Sequence, residues 1–305
     1  MKPFRSASSF LRLLLAGCLI AGPAHAQLTN PGVVDTGQVR AELLAHAPEG
    51  IQPGGTLWLG LRLQHAPDWH TYWKNPGDSG LPTELEWTLP AGFSAGDIAW
   101  PTPRKFPLGT LANYGYDGAV LLPVPVRVPD AFSAGALEVS LYASWLACKT
   151  ECIPEEGQFR ISVPAQGSTS LHGADFSAAF DAAPRPDTPA SGSVSPTPQR
   201  LEVSLQGLPA DWSGRTLEFF PETPGLIEPG APWTQSWDGG RWQASIPLSP
   251  YRSEAPAALT LVVAEADPPG KGPGLPGVRL EVPVSGAWPP VAALPAAVPD
   301  ALSAA

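Results

Sequence analysis

Two cysteines, Cys148 and Cys152, are the groups in this chain of 305 residues best suited to chemistry. They sit in the run Trp145-Leu146-Ala147-Cys148-Lys149-Thr150-Glu151-Cys152-Ile153-Pro154-Glu155. Thiol–disulfide exchange needs one sulfur accessible as a thiolate and a second near enough to resolve the mixed disulfide. Residues four apart in a straight strand lie roughly 13 Å apart, beyond the roughly 4.4–6.8 Å between Cα atoms that a disulfide spans. A helical turn or tight loop would bring them to about 6 Å. Pro154 disfavours helix at Ile153, so such a turn must end by Cys152. If the two pair, the chain folds back between them, and the ring is small and contributes little by the chain-entropy account. Such a bond suits exchange better than it suits holding a fold. Lys149 favours a thiolate here, while Glu151, Glu155 and Glu156 oppose it, so charge alone does not say which cysteine attacks.

The remaining chemistry is sparse. His46, His65, His70 and His172 are scattered without zinc-ligand spacing, and Ser79 lacks a G-x-S-x-G setting. Two other readings of the cysteine pair stay open. One is a copper-binding chaperone, with thiolates for Cu(I) and His70 as third ligand. The other is a non-catalytic module in which the bond is a structural staple.

The elements around the pair read as β-structure. Leu137, Val139, Leu141, Ala143 and Trp145 alternate with polar residues, as do Phe159, Ile161 and Val163 downstream. The cysteines therefore fall near the end of a hairpin over 137–163. Upstream, Val39–Leu44, Leu57–Gln64, the aromatic run from Trp69, Leu85–Trp87 and Val120–Val128 read as strands. Pro123 and Pro125 mark the last as an edge or a bulge. Pro101–Pro107 and the glycine-broken stretch Asn113–Gly118 read as loops. Residues 34–165 thus make a first β-sandwich, followed by a Ser/Ala/Pro-rich linker over 166–198 with room for one short helix between His172 and Ala183. Residues 199–285 make a second sandwich, with an Asp238-Gly239 hairpin turn, and 286–305 a disordered tail. Short strands between Pro/Gly turns place the chain in the all-β class.

Residues 1–26 read as a secretion signal: Lys2, Arg5 and Arg12, a short apolar core, then Ala24-His25-Ala26 for cleavage. Leu15-Ala16-Gly17-Cys18 also offers a lipoprotein alternative anchored at Cys18. No later stretch is long and apolar enough to span a membrane, so the mature chain is expected in the periplasm, where nearby thiols tend to be oxidised. A net charge of −10 argues against a nucleic-acid partner. No cofactor is called for.

Three motifs in order carry a resemblance. They are Trp69-His70-Thr71-Tyr72-Trp73-Lys74-Asn75-Pro76-Gly77-Asp78-Ser79-Gly80, Asn113-Tyr114-Gly115-Tyr116, and the cysteine run. Together they resemble the periplasmic N-terminal region of DsbD-type thiol:disulfide interchange proteins, especially the ScsB-like branch, over Val39 to Val163 and more loosely beyond. The resemblance implies immunoglobulin-like domains, here two in tandem, and a protein-disulfide reductase activity. It makes Cys148 and Cys152 the exchanging pair and puts Tyr114 and Tyr116 on a cap loop that covers it. It sets His70 and Tyr72 beside the sulfurs as shielding rings. It also implies a membrane-embedded thiol-transfer protein as electron donor. The implied acceptors are periplasmic thioredoxin-like proteins or disulfide isomerases, including those of cytochrome c maturation. The family pattern continues into membrane and thioredoxin-like domains. This chain ends at Ala305 and reads as a free-standing partner of a separate membrane protein, or as a truncated one. Its cysteines are also closer in sequence than in the best-known members.

Overall fold

The computed structural model describes residues 32–186, 189–266 and 270–291. The signal sequence, with Cys18 and His25, and the end of the tail lie outside those residues. What is described is all-β apart from one α-helix and a single 3-10 turn, in four sheets.

The first sheet joins β1 (Val33–Asp35), β2 (Val39–His46), β3 (Thr56–His65), β9 (Ala119–Arg127) and β6 (Ser94–Ala95), in that order. The second runs β11 (Cys152–Pro164), β10 (Ala136–Cys148), β4 (His70–Gly77), β8 (Leu111–Asp117), β7 (Arg104–Leu108), with β5 (Glu84–Thr88) also paired to β10. Alternation fixes which side chains turn inward. Leu57, Leu59, Leu61 and Leu63 of β3 and Leu137, Val139, Leu141, Ala143 and Trp145 of β10 are all buried in one core. β9 is neither the edge strand nor bulged, since it pairs in unbroken register with β3 on one side and with β6 on the other. Without N–H groups its prolines offer only carbonyls, and Pro123 and Pro125 accept from the backbone N–H of Ala99 and Gly96 at 2.7 and 2.8 Å, beside the two-residue β6.

A second core lies between the sheet β12 (Ser191–Pro196), β13 (Arg200–Gln206), β16 (Arg241–Pro247), β15 (Thr234–Asp238) and the sheet β14 (Leu217–Pro221), β17 (Ala258–Glu265), β18 (Val278–Pro283). The Asp-Gly signal is met: Asp238 pairs with Arg241 across Gly239, which takes φ +59°.

Two loop assignments are corrected. Arg104–Leu108 and Leu111–Asp117 are paired strands, not loops. Gly115 is needed there for approach rather than for a turn, because a Cβ on it would sit 1.9 Å from the Thr71 carbonyl oxygen. The stretch 166–198 is not free chain either. It holds the helix α1 (Gly173–Asp181), whose Phe176 and Ala179 bury against Leu44 and Leu121 outside the first sheet, and it holds β12. Within 286–291 the chain is tied down as well, since Trp288 Nε1 donates to the Pro256 carbonyl at 2.9 Å and Arg252 donates to that of Pro289.

Candidate functional site

The site is built on the hairpin β10–β11. Thirteen residues of each strand pair, from Ala136 opposite Pro164 to Cys148 opposite Cys152. The fold-back that the spacing demands is the hairpin turn itself, Lys149-Thr150-Glu151, closed by Lys149 N–H donating to the Glu151 carbonyl at 3.0 Å. The cysteines form a disulfide with Cα atoms 4.1 Å apart. On its other side Cys148 pairs with His70 of β4. The two sulfurs differ in surroundings: Cys148 is 2% exposed, whereas Cys152 is exposed at the hairpin tip.

His70 and Tyr72 do lie beside the sulfurs, because alternation along β4 turns them to the disulfide side while Thr71 and Trp73 turn to the other. The Tyr72 hydroxyl donates to Cys148 Sγ at 2.8 Å and stands 3.6 Å from Cys152 Sγ. Burial pushes the phenol pKa up to about 12, so it stays a donor at any physiological pH. Behind it runs a relay: Asn113 Nδ2 donates to the Tyr72 oxygen at 3.4 Å, and Ser79 Oγ donates to Asn113 Oδ1 at 2.9 Å. Gly80, at φ +105°, lies flat against the Tyr72 ring, where a Cβ would come within 2.2 Å of it. His70 stacks on Phe106 of β7 at 4.8 Å and meets Tyr72 edge-on at 5.3 Å. Burial lowers the His70 pKa and so favours the neutral ring, against the pull of Asp117 toward the charged form. Its Nε2 has no hydrogen-bond partner within the described residues.

Tyr114 and Tyr116 are placed otherwise than expected. Both are fully buried in β8, not on a cap loop, and point into the first core. Their hydroxyls donate to the carbonyls of Phe219 at 3.5 Å and Pro101 at 2.7 Å. The ring that stacks on His70 is Phe106, inside a stretch whose prolines disguise it as loop. Asn113 and Gly115, the small members of the Asn-Tyr-Gly-Tyr motif, share the disulfide-side face with Tyr72 instead. Ser79 matters as the anchor of Asn113.

One carboxylate near the pair is already committed. Glu155 is buried and accepts from Trp145 Nε1 and Thr36 Oγ1, each at 2.7 Å. With its amide nitrogen turned to the carboxylate, Gln38 donates at 2.8 Å as well. This acid ties β11 to β10 and the loop after β1, and does not face the sulfurs' side of the sheet. Of the other histidines, His65 is held between Gly118 and Thr71 and His172 beside Asp175, away from the pair. His46 stacks on Phe176. No three His, Cys, Asp or Glu side chains converge in a metal-binding cluster among the described residues, and no described helix is long and apolar enough to cross a membrane.

Comparison with known proteins fits this geometry. No curated protein sequence matches the chain. The crystal structure of the N-terminal periplasmic domain of ScsB from Proteus mirabilis superposes with a TM-score of 0.61 over 83% of this chain and 98% of its own, at 18% identity, so the two share a fold. Residues 40–164, which hold the whole site, match the family model described as the N-terminal part of the thiol:disulfide interchange protein DsbD.

Proposed function

We propose that this protein relays reducing equivalents between proteins of the periplasm through the Cys148–Cys152 pair, as a protein-disulfide reductase component. The observation that carries this reading is the asymmetry of the disulfide: one sulfur exposed at a hairpin tip, its partner buried against a phenol whose pKa burial raises to about 12. That is the arrangement needed for attack at one sulfur with a stabilised leaving group at the other.

When the protein is reduced, a donor thiolate attacks Cys152 Sγ. The Sγ–Sγ bond breaks, and its electron pair leaves on Cys148 as a thiolate that accepts the Tyr72 hydrogen bond. A second donor thiol then releases Cys152 as thiolate and closes the donor's own disulfide. In the reverse direction the Cys152 thiolate attacks an acceptor disulfide, and Cys148 resolves the mixed disulfide. Two electrons pass to the acceptor, and the ring re-forms. The expected donor is a membrane-embedded thiol-transfer protein. The expected acceptors are thioredoxin-like proteins or disulfide isomerases, including those serving cytochrome c maturation. We read the two core-bearing sheet pairs as immunoglobulin-like sandwiches in tandem.

Trapping decides the order of attack. With Cys148→Ser, Cys152 should accumulate a covalent adduct with a thioredoxin-like protein of the periplasm, while Cys152→Ser should give little. The opposite pattern would reverse the assignment. A bond that glutathione-level reductants cannot open would leave only a structural staple.

A further inference from the structure

The face of the hairpin that carries the disulfide can be read row by row. Cys152, Cys148 and His70 make the end row. Next come Pro154 and Leu146, then Glu156, Ser144 and Glu84, then Gln158, Tyr142 and Glu86. The Leu146 row has no third strand, because β4 pairs with β10 only at Cys148 and β5 only from Ser140 to Ser144. The loop between β4 and β5 lies over this gap without filling it. A groove of about 280 Å³ remains, walled by Leu81, Pro82, Leu146 and Pro154 and ending at Glu84 and Glu156. Leu81 is 66% exposed at the mouth of the groove. No lysine or arginine lines the groove. The acidic end is felt by its neighbour: the Tyr142 hydroxyl donates to Glu156 at 2.6 Å, and that bond together with Glu86 raises the phenol's pKa.

Rows on a strand repeat every ~7 Å. The apolar row therefore lies ~7 Å from the disulfide and the acidic row ~13 Å from it. An extended partner segment has the same period. We propose that this groove docks the segment flanking the partner's reactive cysteine, taking an apolar side chain two residues from that cysteine and a lysine or arginine four residues from it. The proposal rests on the thiol-exchange reading above and deepens it, since it names the recognition chemistry of the partner.

The test uses two cysteine peptides, Arg-Gly-Leu-Gly-Cys and Cys-Gly-Leu-Gly-Arg, to cover both chain directions, with counterparts carrying Glu for Arg and Ser for Leu. Against the oxidised full chain at low salt, one of the cationic apolar peptides should form the mixed disulfide roughly tenfold faster than its counterpart. High salt should shrink that advantage. Leu81→Asp and Glu84→Lys, both at exposed positions, should each abolish most of it and leave the rate with dithiothreitol unchanged. Equal rates for all peptides on the unaltered protein would overturn the proposal. The same peptides with Ser for Cys, titrated while following the amide resonances of Leu81 and Leu146 by NMR, separate the two claims. A disulfide that no thiol opens would sink the exchange reading, yet a stronger shift with the cationic peptide would still uphold the groove, and no preference would overturn it.

Discussion

Tyr72 is the side chain through which the buried sulfur feels the protein. Its hydrogen bond to Cys148 is worth more once that sulfur carries charge, so it favours the reduced pair over the disulfide. Tyr72→Phe should therefore make the bond harder to reduce. A hydrogen bond to a charged group contributes about 1.5–3 kcal/mol, which for a two-electron couple corresponds to a potential about 30–60 mV more negative. Equilibration against a thiol redox buffer measures this directly. Asn113→Ala removes only the donor behind the phenol and should shift the potential in the same direction by less. The Tyr72 pKa of about 12 adds a pH signature. Exchange rates should rise with thiolate formation and show no inflection from this phenol below pH 11, a profile that stopped-flow measurement across pH would read.

At the scale of elements, the connection between β3 and β4 decides where His70 and Tyr72 land. His65 ends β3 and is clamped there. Its Nδ1–H donates to the Gly118 carbonyl at 2.8 Å, and the Thr71 hydroxyl donates to its Nε2 at 2.9 Å. Burial, outweighing the Gly118 bond and the pull of Asp117, lowers its pKa from 6.5 to about 4. The unfolded chain thus takes up a proton in that window that the folded chain refuses. Stability is fully present above pH 6.5 and falls as pH drops toward 4, by about 3 kcal/mol. His65→Gln should lack this component, which urea unfolding of both proteins at pH 7 and pH 4.5 would reveal as a smaller loss in the variant. The loop after β4 is the other positioning element. Gly80→Ala would drive a methyl into the Tyr72 ring, and should both lower stability by about 1–3 kcal/mol and shift the potential as Tyr72→Phe does. These two elements also mark the limit of what sequence pattern reveals. The hairpin was legible because alternation over Leu137–Trp145 and again over Phe159–Val163 flanks the cysteines. The rings of β4 were legible through a resemblance. β7 and β8 were hidden because Pro101, Pro103 and Pro107 crowd the first and Gly115 breaks the second. Glycine there serves close packing on Thr71, which a turn signal cannot distinguish from a turn. The resemblance puts Tyr114 and Tyr116 on a loop over the sulfurs, whereas strand alternation in β8 gives that face to Asn113 and Gly115.

Across the whole described molecule, the two cores are not independent. Phe220, Val262 and Ala264, from the strands after the helix, belong to the first core, where Phe220 meets Tyr114 at 4.9 Å and Trp73 at 6.2 Å. The polar ties fall on the same strands as the site. Asn75 Nδ2 donates to the Pro221 carbonyl at 2.7 Å, Asp78 Oδ2 accepts from the N–H groups of both Ala112 and Gly230, and Lys74 and Arg279 share Glu222. The second half therefore braces β4 and β8 from behind. Calorimetry should show one unfolding transition rather than two, and Phe220→Ala, costing about 3–5 kcal/mol, should lower the whole transition without splitting it. The hairpin's end row has a different bearing. Its strands are zipped by amide hydrogen bonds all the way back to Ala136, so the sulfur–sulfur link is the last rung of a ladder that stands without it. On the proposed exchange, gaining or losing two electrons there should leave the backbone where it is, held by those hydrogen bonds. On that proposal a reductant and an oxidant would meet the same surface, and the direction of traffic would follow from which of them is abundant and at what potential.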